Sequence, residues 1–216
     1  MKFTSVQIME QTFLLHPLKA MYWVEEKALL VADFHLGKAS HFRKNGIAVP
    51  QQVAYMNYAK FNRLLKAFPM ERIIFLGDLF HSDHNEDWEK FGALIKGYGQ
   101  YHFSLISGNH DIMARREYDK FNIQVLDEPY AIGAFLLSHH PMNEVPETYY
   151  NLAGHVHPSI KLRGKARQSL RLPCFYFSDQ NGLLPAFGKF TGTAIIRPKK
   201  TDQIFAPVSD SEIMAF

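Results

Sequence analysis

The sequence predicts one α/β domain built on a largely parallel or mixed central sheet, followed by a second half that is mostly β. Three observations lead there. Ala28–Ala32 and the segments 72–77 and 102–107 are short apolar runs of the kind that form strands buried on both faces. Segments of helical period separate them. After Asn122 that period fades and short strand candidates follow one another. At 216 residues the chain has the length of about one domain. No repeat, low-complexity tract or linker divides it, so residues 1–216 are expected to be a single domain.

Taken in order, the first thirty residues read as short strands with turns at 10–11 and 25–27, a β-meander carrying Phe13, Leu14, Leu15, Met21, Trp23 and Val24. Ala28–Ala32 is a continuous apolar run. Pro50 suits a first helical turn, and Phe61, Leu64, Leu65 and Phe68 continue the helix at i, i+3, i+4, i+7 spacing. A buried strand at 72–77 follows Pro69, then a helix over Glu86–Lys96, a strand at 102–107 and a short helix beginning near Asp111. Strands are expected at Ile123–Leu126, 134–138, Tyr150–Ala153, 174–177 and 193–196. Residues 206–216 read as a loosely held tail.

Composition excludes several classes. With 47% hydrophobic and 21% charged residues, the chain is not disordered, collagen-like or a coiled coil. Its one cysteine, Cys174, can form no internal disulfide and fits a reducing compartment. Polar residues interrupt the apolar runs of the first 17 positions, so no signal-peptide core is present, and no apolar stretch approaches the ~20 residues of a membrane span. A cytoplasmic protein with no membrane partner is expected. A net charge of +3 does not by itself point to nucleic acid, whereas eleven histidines direct attention to metal or acid–base chemistry.

Their positions carry the argument. Each buried strand runs into a polar cluster: Asp33-Phe34-His35, Gly77-Asp78, Gly108-Asn109-His110-Asp111, Ser138-His139-His140 and Gly154-His155-Val156-His157. An Asp after a strand is most often a turn or cap residue, a lone His is usually a core or surface residue, and the glycines suit tight turns. Five such clusters in one small domain are improbable as independent accidents, and ligands bind outside the carboxyl ends of strands in open α/β sheets. A two-metal site needs a carboxylate between the ions, with imidazole and carbonyl ligands on each. Asp33, His35, Asp78, Asn109, His139, His155 and His157 supply that set. Strand alternation would put His155 and His157 on one face, and relate Asp33 to His35 likewise. Mixed imidazole, carboxylate and amide donors suit two divalent ions, manganese foremost, with iron or zinc as alternatives.

These motifs, in this order over residues 33–157, resemble the calcineurin-like metallophosphoesterases. The resemblance implies a two-sheet β-sandwich flanked by helices. It also implies one metal on Asp33, His35, Asp78 and His157, and another on Asp78, Asn109, His139 and His155, with Asp78 bridging. Further blocks, Asp33-Phe34-His35-Leu36-Gly37-Lys38, Phe42-Arg43, Leu172-Pro173-Cys174-Phe175 and the run from Leu184 to Gly192, are similar to a bacterial subfamily known as ligase-associated DNA damage response endonucleases. That likeness implies DNA as substrate and association with an ATP-dependent DNA ligase and a helicase.

The expected reaction is metal-assisted hydrolysis of a phosphoester, with His110 protonating the leaving oxygen and Asp111 orienting its imidazole. His140 is left between a structural and a substrate role, and His81 and His84 follow Asp78 closely enough to line the site. Lys161, Arg163, Lys165, Arg167 and Arg171 form a run with no acidic residue, and with Arg43 and Arg115 they are candidates for polyanion contact. Three readings stand: a DNA phosphodiesterase or endonuclease in repair, a phosphodiesterase of cyclic nucleotides or dinucleoside polyphosphates, and a non-catalytic scaffold. The complete ligand set and His110 argue against the last.

Overall fold

The alternation of β4 (Ala28–Ala32) organises the molecule. Leu29 and Val31 face one core, while Ala28, Leu30 and Ala32 face another, and all five residues are buried. The computed structural model describes residues 3–38, 46, 52–81, 86–164, 168–189 and 191–216. β1 (Thr4–Ile8), β2 (Gln11–His16) and β3 (Ala20–Trp23) lead into β4 as an antiparallel meander. α1 (Gln52–Leu65) precedes β5 (Arg72–Leu76), α2 (Glu86–Lys96) precedes β6 (His102–Ile106), and α3 (Arg115–Asp119) precedes β7 (Ile123–Leu126). Strands β4 to β7 run parallel, so the first seven strands form one mixed sheet in sequence order.

The second half follows with β8 (Tyr130–Ile132), β9 (Phe135–Ser138), β10 (Tyr150–Ala153), β11 (Pro158–Arg163), β12 (Ser169–Pro173), β13 (Phe175–Phe177), β14 (Asn181–Leu183), β15 (Ala194–Ile195), β16 (Gln203–Ser209) and β17 (Glu212–Ala215). A second seven-stranded sheet has the order β17-β16-β13-β14-β10-β9-β8, and β12-β11-β15 make a small third sheet. Trp23, Phe13 and Leu30 of the first sheet pack on Phe135, Tyr150 and Phe175 of the second. The opposite face of the first sheet is covered by Phe61, Leu64, Trp88, Phe91 and Tyr118 of the helices. The result is the two-sheet sandwich with flanking helices.

Several expectations change. Residues 203–215 form the edge hairpin β16–β17 instead of a loose tail, because Ile204 and Ala206 bury against Ile160 and Cys174. The short helix starts at Arg115, four residues after Asp111, whose carboxylate is committed elsewhere. Pro50, expected at a helix start, lies outside the described residues. The strand expected at 193–196 is present as β15, whereas β11 and β12, with which it makes the third sheet, were not foreseen.

Phe34 joins the helical core to the strand-end loops. It is fully buried and meets the rings of Phe61, Phe75, Phe91 and Phe187 at centroid distances of 4.6 to 6.2 Å. Phe34→Ala is expected to cost about 3–5 kcal/mol, read as a lowered denaturation midpoint in EDTA. A loss below about 1 kcal/mol would show that this ring is dispensable to the core.

Candidate metal centre

Five loops, each leaving the carboxyl end of a strand, converge. β4 leads to Asp33 and His35, β5 to Asp78, β6 to Asn109 and His110, β9 to His139, and β10 to His155 and His157. Backbone hydrogen bonds stitch the first two together: the N–H groups of Asp33, His35 and Leu36 donate to the carbonyls of Gly77, Asp78 and Leu79 at 3.3, 2.8 and 2.9 Å. All seven predicted ligands are brought to this place.

They form two groups joined by one carboxylate. On one side Asp33 Oδ1 lies 3.2 Å from His157 Nε2, which lies 3.4 Å from His35 Nε2, and His35 Nε2 is 3.8 Å from Asp78 Oδ2. On the other side Asp78 Oδ1 is 3.5 Å from His139 Nε2, which is 3.0 Å from both Asn109 Oδ1 and His155 Nδ1. Each oxygen of Asp78 thus faces a different group. Asp33 is fully buried and Asp78 is 3% exposed.

The imidazoles present lone pairs. His139 Nδ1 lies 3.2 Å from the carbonyl of Leu76, and His157 Nδ1 lies 2.9 Å from that of Gly192. A carbonyl only accepts, so both Nδ1 atoms carry a proton; His139 Nε2 turns a lone pair to the cluster, and His157 Nε2 does so once the proton it shares with Asp33 is released. Burial above all, helped by Lys38 and neighbouring imidazoles, brings His35 down to about 2 and keeps it neutral. Burial, with His139 and His140, also lowers His155. His139 Nε2 therefore turns its lone pair to the Asn109 oxygen at 3.0 Å, an arrangement that a divalent cation between them would resolve. The donor set fits such ions, and three triads, Asp33/His35/His157, Asp33/Asp78/His139 and His139/His140/His155, have ligand atoms within 4.8 Å of one another.

The local backbone differs from the expected strand alternation. Asp33, His35, Asp78, His155 and His157 all have φ between 50° and 63°. These ligands sit in left-handed loop residues beyond the strand ends, not on one face of a strand. Glycines make room for them. A Cβ on Gly77 would fall inside the His139 ring, and one on Gly108 would stand 2.5 Å from the Asp78 backbone nitrogen and closer still to its carboxylate.

His110 stands at the rim, its side chain 41% exposed, with Nε2 4.0 Å from Asp78 Oδ2 and its backbone N–H donating to Asp78 Oδ1 at 2.9 Å. The expected orienting role of Asp111 is corrected. Its carboxylate turns inward and accepts from the backbone N–H groups of Leu79, Phe80 and Gly108 at 2.9 to 3.2 Å. It clamps two ligand loops together. Burial, joined by the charge of Asp78, pushes its carboxyl up to about 7 against the N–H groups of Gly108 and Phe80.

Arg115 is exposed on α3 and pairs with Asp127 at 2.8 Å. Lys161, Arg163 and Arg171 are exposed on the β11–β12 hairpin, which begins next to His157. Arg43, Lys165, Arg167 and His84 lie outside the described residues. His81 does line the site, its ring 4.2 Å from that of His110 and 5.3 Å from that of His35.

Sequence reasoning missed Glu128. One of its oxygens accepts from the N–H groups of His139 and His140 at 2.6 and 2.9 Å, and the other meets His140 Nδ1 at 2.7 Å. That places the His140 ring 4.3 Å from His155, at the edge of the second group. A glutamate eleven residues before its partner carries no motif. Lys38 was quoted only as part of a block; Asp78 and Asp33 draw its ammonium upward while burial, the larger effect, leaves it below the ordinary lysine value.

The model of the calcineurin-like phosphoesterase family matches residues 27–176. Among solved structures, Pseudomonas putida nuclease MPE is similar to this chain with a TM-score of 0.81 and 34% identity, over 95% of this chain and 97% of that one. A protein of unknown function from Aquifex aeolicus has a TM-score of 0.42 and 21% identity over 60% and 78% of the two chains. A predicted phosphoesterase from Streptococcus pneumoniae has a TM-score of 0.35 and 12% identity over 87% and 86%. The latter two are too distant to bear on the argument. No curated protein matches the chain.

Two outcomes are expected. Gly108→Ala displaces Asp78, so metal content after dialysis against limiting manganese falls with far-UV circular dichroism preserved, and affinity drops about 10–100-fold, the range of losses when outer-shell support is removed. Wild-type affinity in that variant would show that the Asp78 position is not critical. The second concerns pH. Burial acts to lower His157, but the hydrogen bond and charge of Asp33 outweigh it, and its net shift is upward. Metal must displace that proton, so affinity should climb as pH rises through and above the ordinary imidazole range and then level off. Titration calorimetry in buffers of different ionisation enthalpy reads the released proton; none released near neutral pH would contradict the proton held between Asp33 and His157.

Proposed function

The chain belongs to the calcineurin-like phosphoesterases, and on that premise we propose that this metal-dependent phosphoesterase is a DNA phosphodiesterase, cutting strands internally during bacterial DNA repair. Bound at the two ligand groups, divalent ions would supply Lewis acidity and an activated water. The protein does the rest. Asp33, His35, Asp78 and His157 would hold one ion, and Asp78, Asn109, His139 and His155 the other. Manganese is the first choice for this donor set, with iron or zinc as alternatives. His110, half-exposed above Asp78, is the group placed to give a proton to the leaving oxygen.

One observation carries DNA over a small phosphodiester. The hairpin that starts at Pro158 pairs Lys161 directly opposite Arg171 and Arg163 opposite Ser169. Like charges facing across an antiparallel pair destabilise it, and a polyanion laid along that face relieves the cost. Residues 161 and 163 point to the same side of the strand. The whole-length likeness to a nuclease supports the same reading. Association with an ATP-dependent DNA ligase and a helicase, and a cytoplasmic setting that suits the free, buried Cys174, belong to this proposal. Among the described residues, no helix is long and apolar enough to cross a membrane.

Purified protein with manganese is expected to cleave labelled single-stranded DNA and bis-p-nitrophenyl phosphate, and EDTA to abolish both. His110→Ala should keep two metals and lose about 10²–10⁴ in turnover. Replacing Lys161, Arg163 and Arg171 by Ala should flatten the log–log salt dependence of single-strand binding by about 2. Hydrolysis of 2′,3′-cyclic AMP with DNA untouched would reverse the substrate assignment, and full activity in metal-loaded His110→Ala would remove the proton-donor role.

A further inference from the structure

Beside the metal centre, on the far side of residues 186–188, lysines crowd together. Phe187 and Gly188 donate their N–H groups to the carbonyls of Ala32 and Asp33 at 2.9 and 3.1 Å. The carbonyls of the same segment point the other way. Lys19 Nζ donates to those of Ala186 and Gly188, and Lys60 Nζ donates to that of Phe187 at 2.9 Å while lying 3.7 Å from the centre of the Phe187 ring. Lys189 extends over the same opening, its Nζ 3.4 Å from Met56 Sδ, a weak acceptor.

The three side chains line a pocket of about 230 Å³ whose other walls include Pro17, Pro173, Pro207 and Val208. Among the described residues its single acidic one is Asp210, already bound to Arg63 at 3.2 Å. Four cations thus meet one carboxylate. Among the described residues, no carboxylate lies within ion-pair reach of Lys19, Lys60 or Lys189. Carbonyl oxygens and an aromatic face solvate an ammonium group but do not neutralise it, and gathering like charges in a half-buried place is costly unless an anion joins them. The cost is visible: burial, then Lys189, brings Lys19 down to about 8, and burial, then Lys19, holds Lys60 well below the ordinary lysine value.

We propose that this pocket is a second anion site, separate from the metal centre, that binds a phosphate group through the ammonium groups of Lys19, Lys60 and Lys189. A tetrahedral oxyanion offers oxygens to donors that approach from different elements, here a turn, a helix and a loop. A water takes about 30 Å³ of liquid volume, so the pocket has room for a phosphate with several waters. The prolines and valine around it lower the local dielectric and strengthen the attraction. The phosphate has two possible sources, another phosphodiester of a bound strand or free inorganic phosphate.

The test uses full-length protein stripped of metal and titrated with inorganic phosphate in a calorimeter. Wild type is expected to bind one phosphate at this pocket. Lys189→Glu, an exposed change that leaves the core alone, should weaken binding tenfold or more. Asp210→Asn should tighten it several-fold by removing the one opposing charge. Phosphate competition against a single-stranded oligonucleotide on the same stripped protein separates the sources: displacement assigns the pocket to the strand, and independence assigns it to free phosphate. Equal phosphate affinity in wild type, Lys189→Glu and Asp210→Asn, or no binding by wild type at millimolar phosphate, overturns the proposal. Hydrolysis is not measured, so this outcome is independent of whether DNA is the substrate.

Discussion

Everything around the strand ends answers to one electrostatic constraint, the crowding of imidazole and amide groups around two buried carboxylates. His139 Nε2 confronts Asn109 Oδ1 and His155 Nδ1 at 3.0 Å, and His35 Nε2 confronts His157 Nε2 at 3.4 Å, with Asp33 and Asp78 buried between them. Contacts among these groups do not by themselves aim so many metal-binding atoms at one place. The geometry must be imposed from outside, and the outer contacts show how. Leu76 and Gly192 fix two imidazole tautomers, Glu128 holds the backbone of His139, and Asp111 ties the loop of Asp78 to that of Asn109 through three backbone donors. Outer partners of this kind are half of what a metal site consists of.

The constraint reaches into the backbone. Left-handed conformations of non-glycine residues cost of order 1–3 kcal/mol each and persist where their surroundings over-determine them. Five of the seven ligands adopt them. What over-determines them is the sheet: β4 and β5 run parallel and in register to Ala32 and Leu76, and their extensions stay hydrogen-bonded through Leu79. Phe34 then anchors the loop in the helical core, so a ligand stands on each side of a buried ring. Divalent ions would return this stored cost by neutralising both carboxylates, and folding and metal uptake become one linked equilibrium.

What could be read in the sequence follows from this division. Ala28–Ala32, Glu86–Lys96 and Tyr150–Ala153 were legible because burial on both faces, or on one stripe of a helix, writes an apolar pattern into the chain. That the seven candidate ligands would meet was legible because only a few residue types bind metals and each followed a strand. The directions of those side chains were not, since strand alternation fails once the backbone turns left-handed at Asp33, His155 and His157. Asp111 was misread for a related reason: adjacency to His110 suggested an imidazole partner, whereas the turn aims its carboxylate at the N–H groups of Leu79 and Phe80. Glu128 and Lys60 act across 11 and 127 residues through backbone groups, which leave no sequence signal at all.

The site is consequently divided between a fixed interior and a variable rim. Ligands at the ends of β4, β5, β6, β9 and β10 are set by two sheets that cannot shift independently, because Trp23, Phe13 and Leu30 interlock with Phe135, Tyr150 and Phe175 between them. Such an interior can hold metals and little else. Under the proposed function, selection comes from groups outside it: His110 and His81 over the cluster, the paired cations of the β11–β12 hairpin beside His157, and the lysines behind residues 186–188. These groups sit on a turn, an edge hairpin and an exposed loop, where a change of residue alters charge without disturbing the core. Under the proposed function, chemistry and selectivity therefore occupy different structural layers.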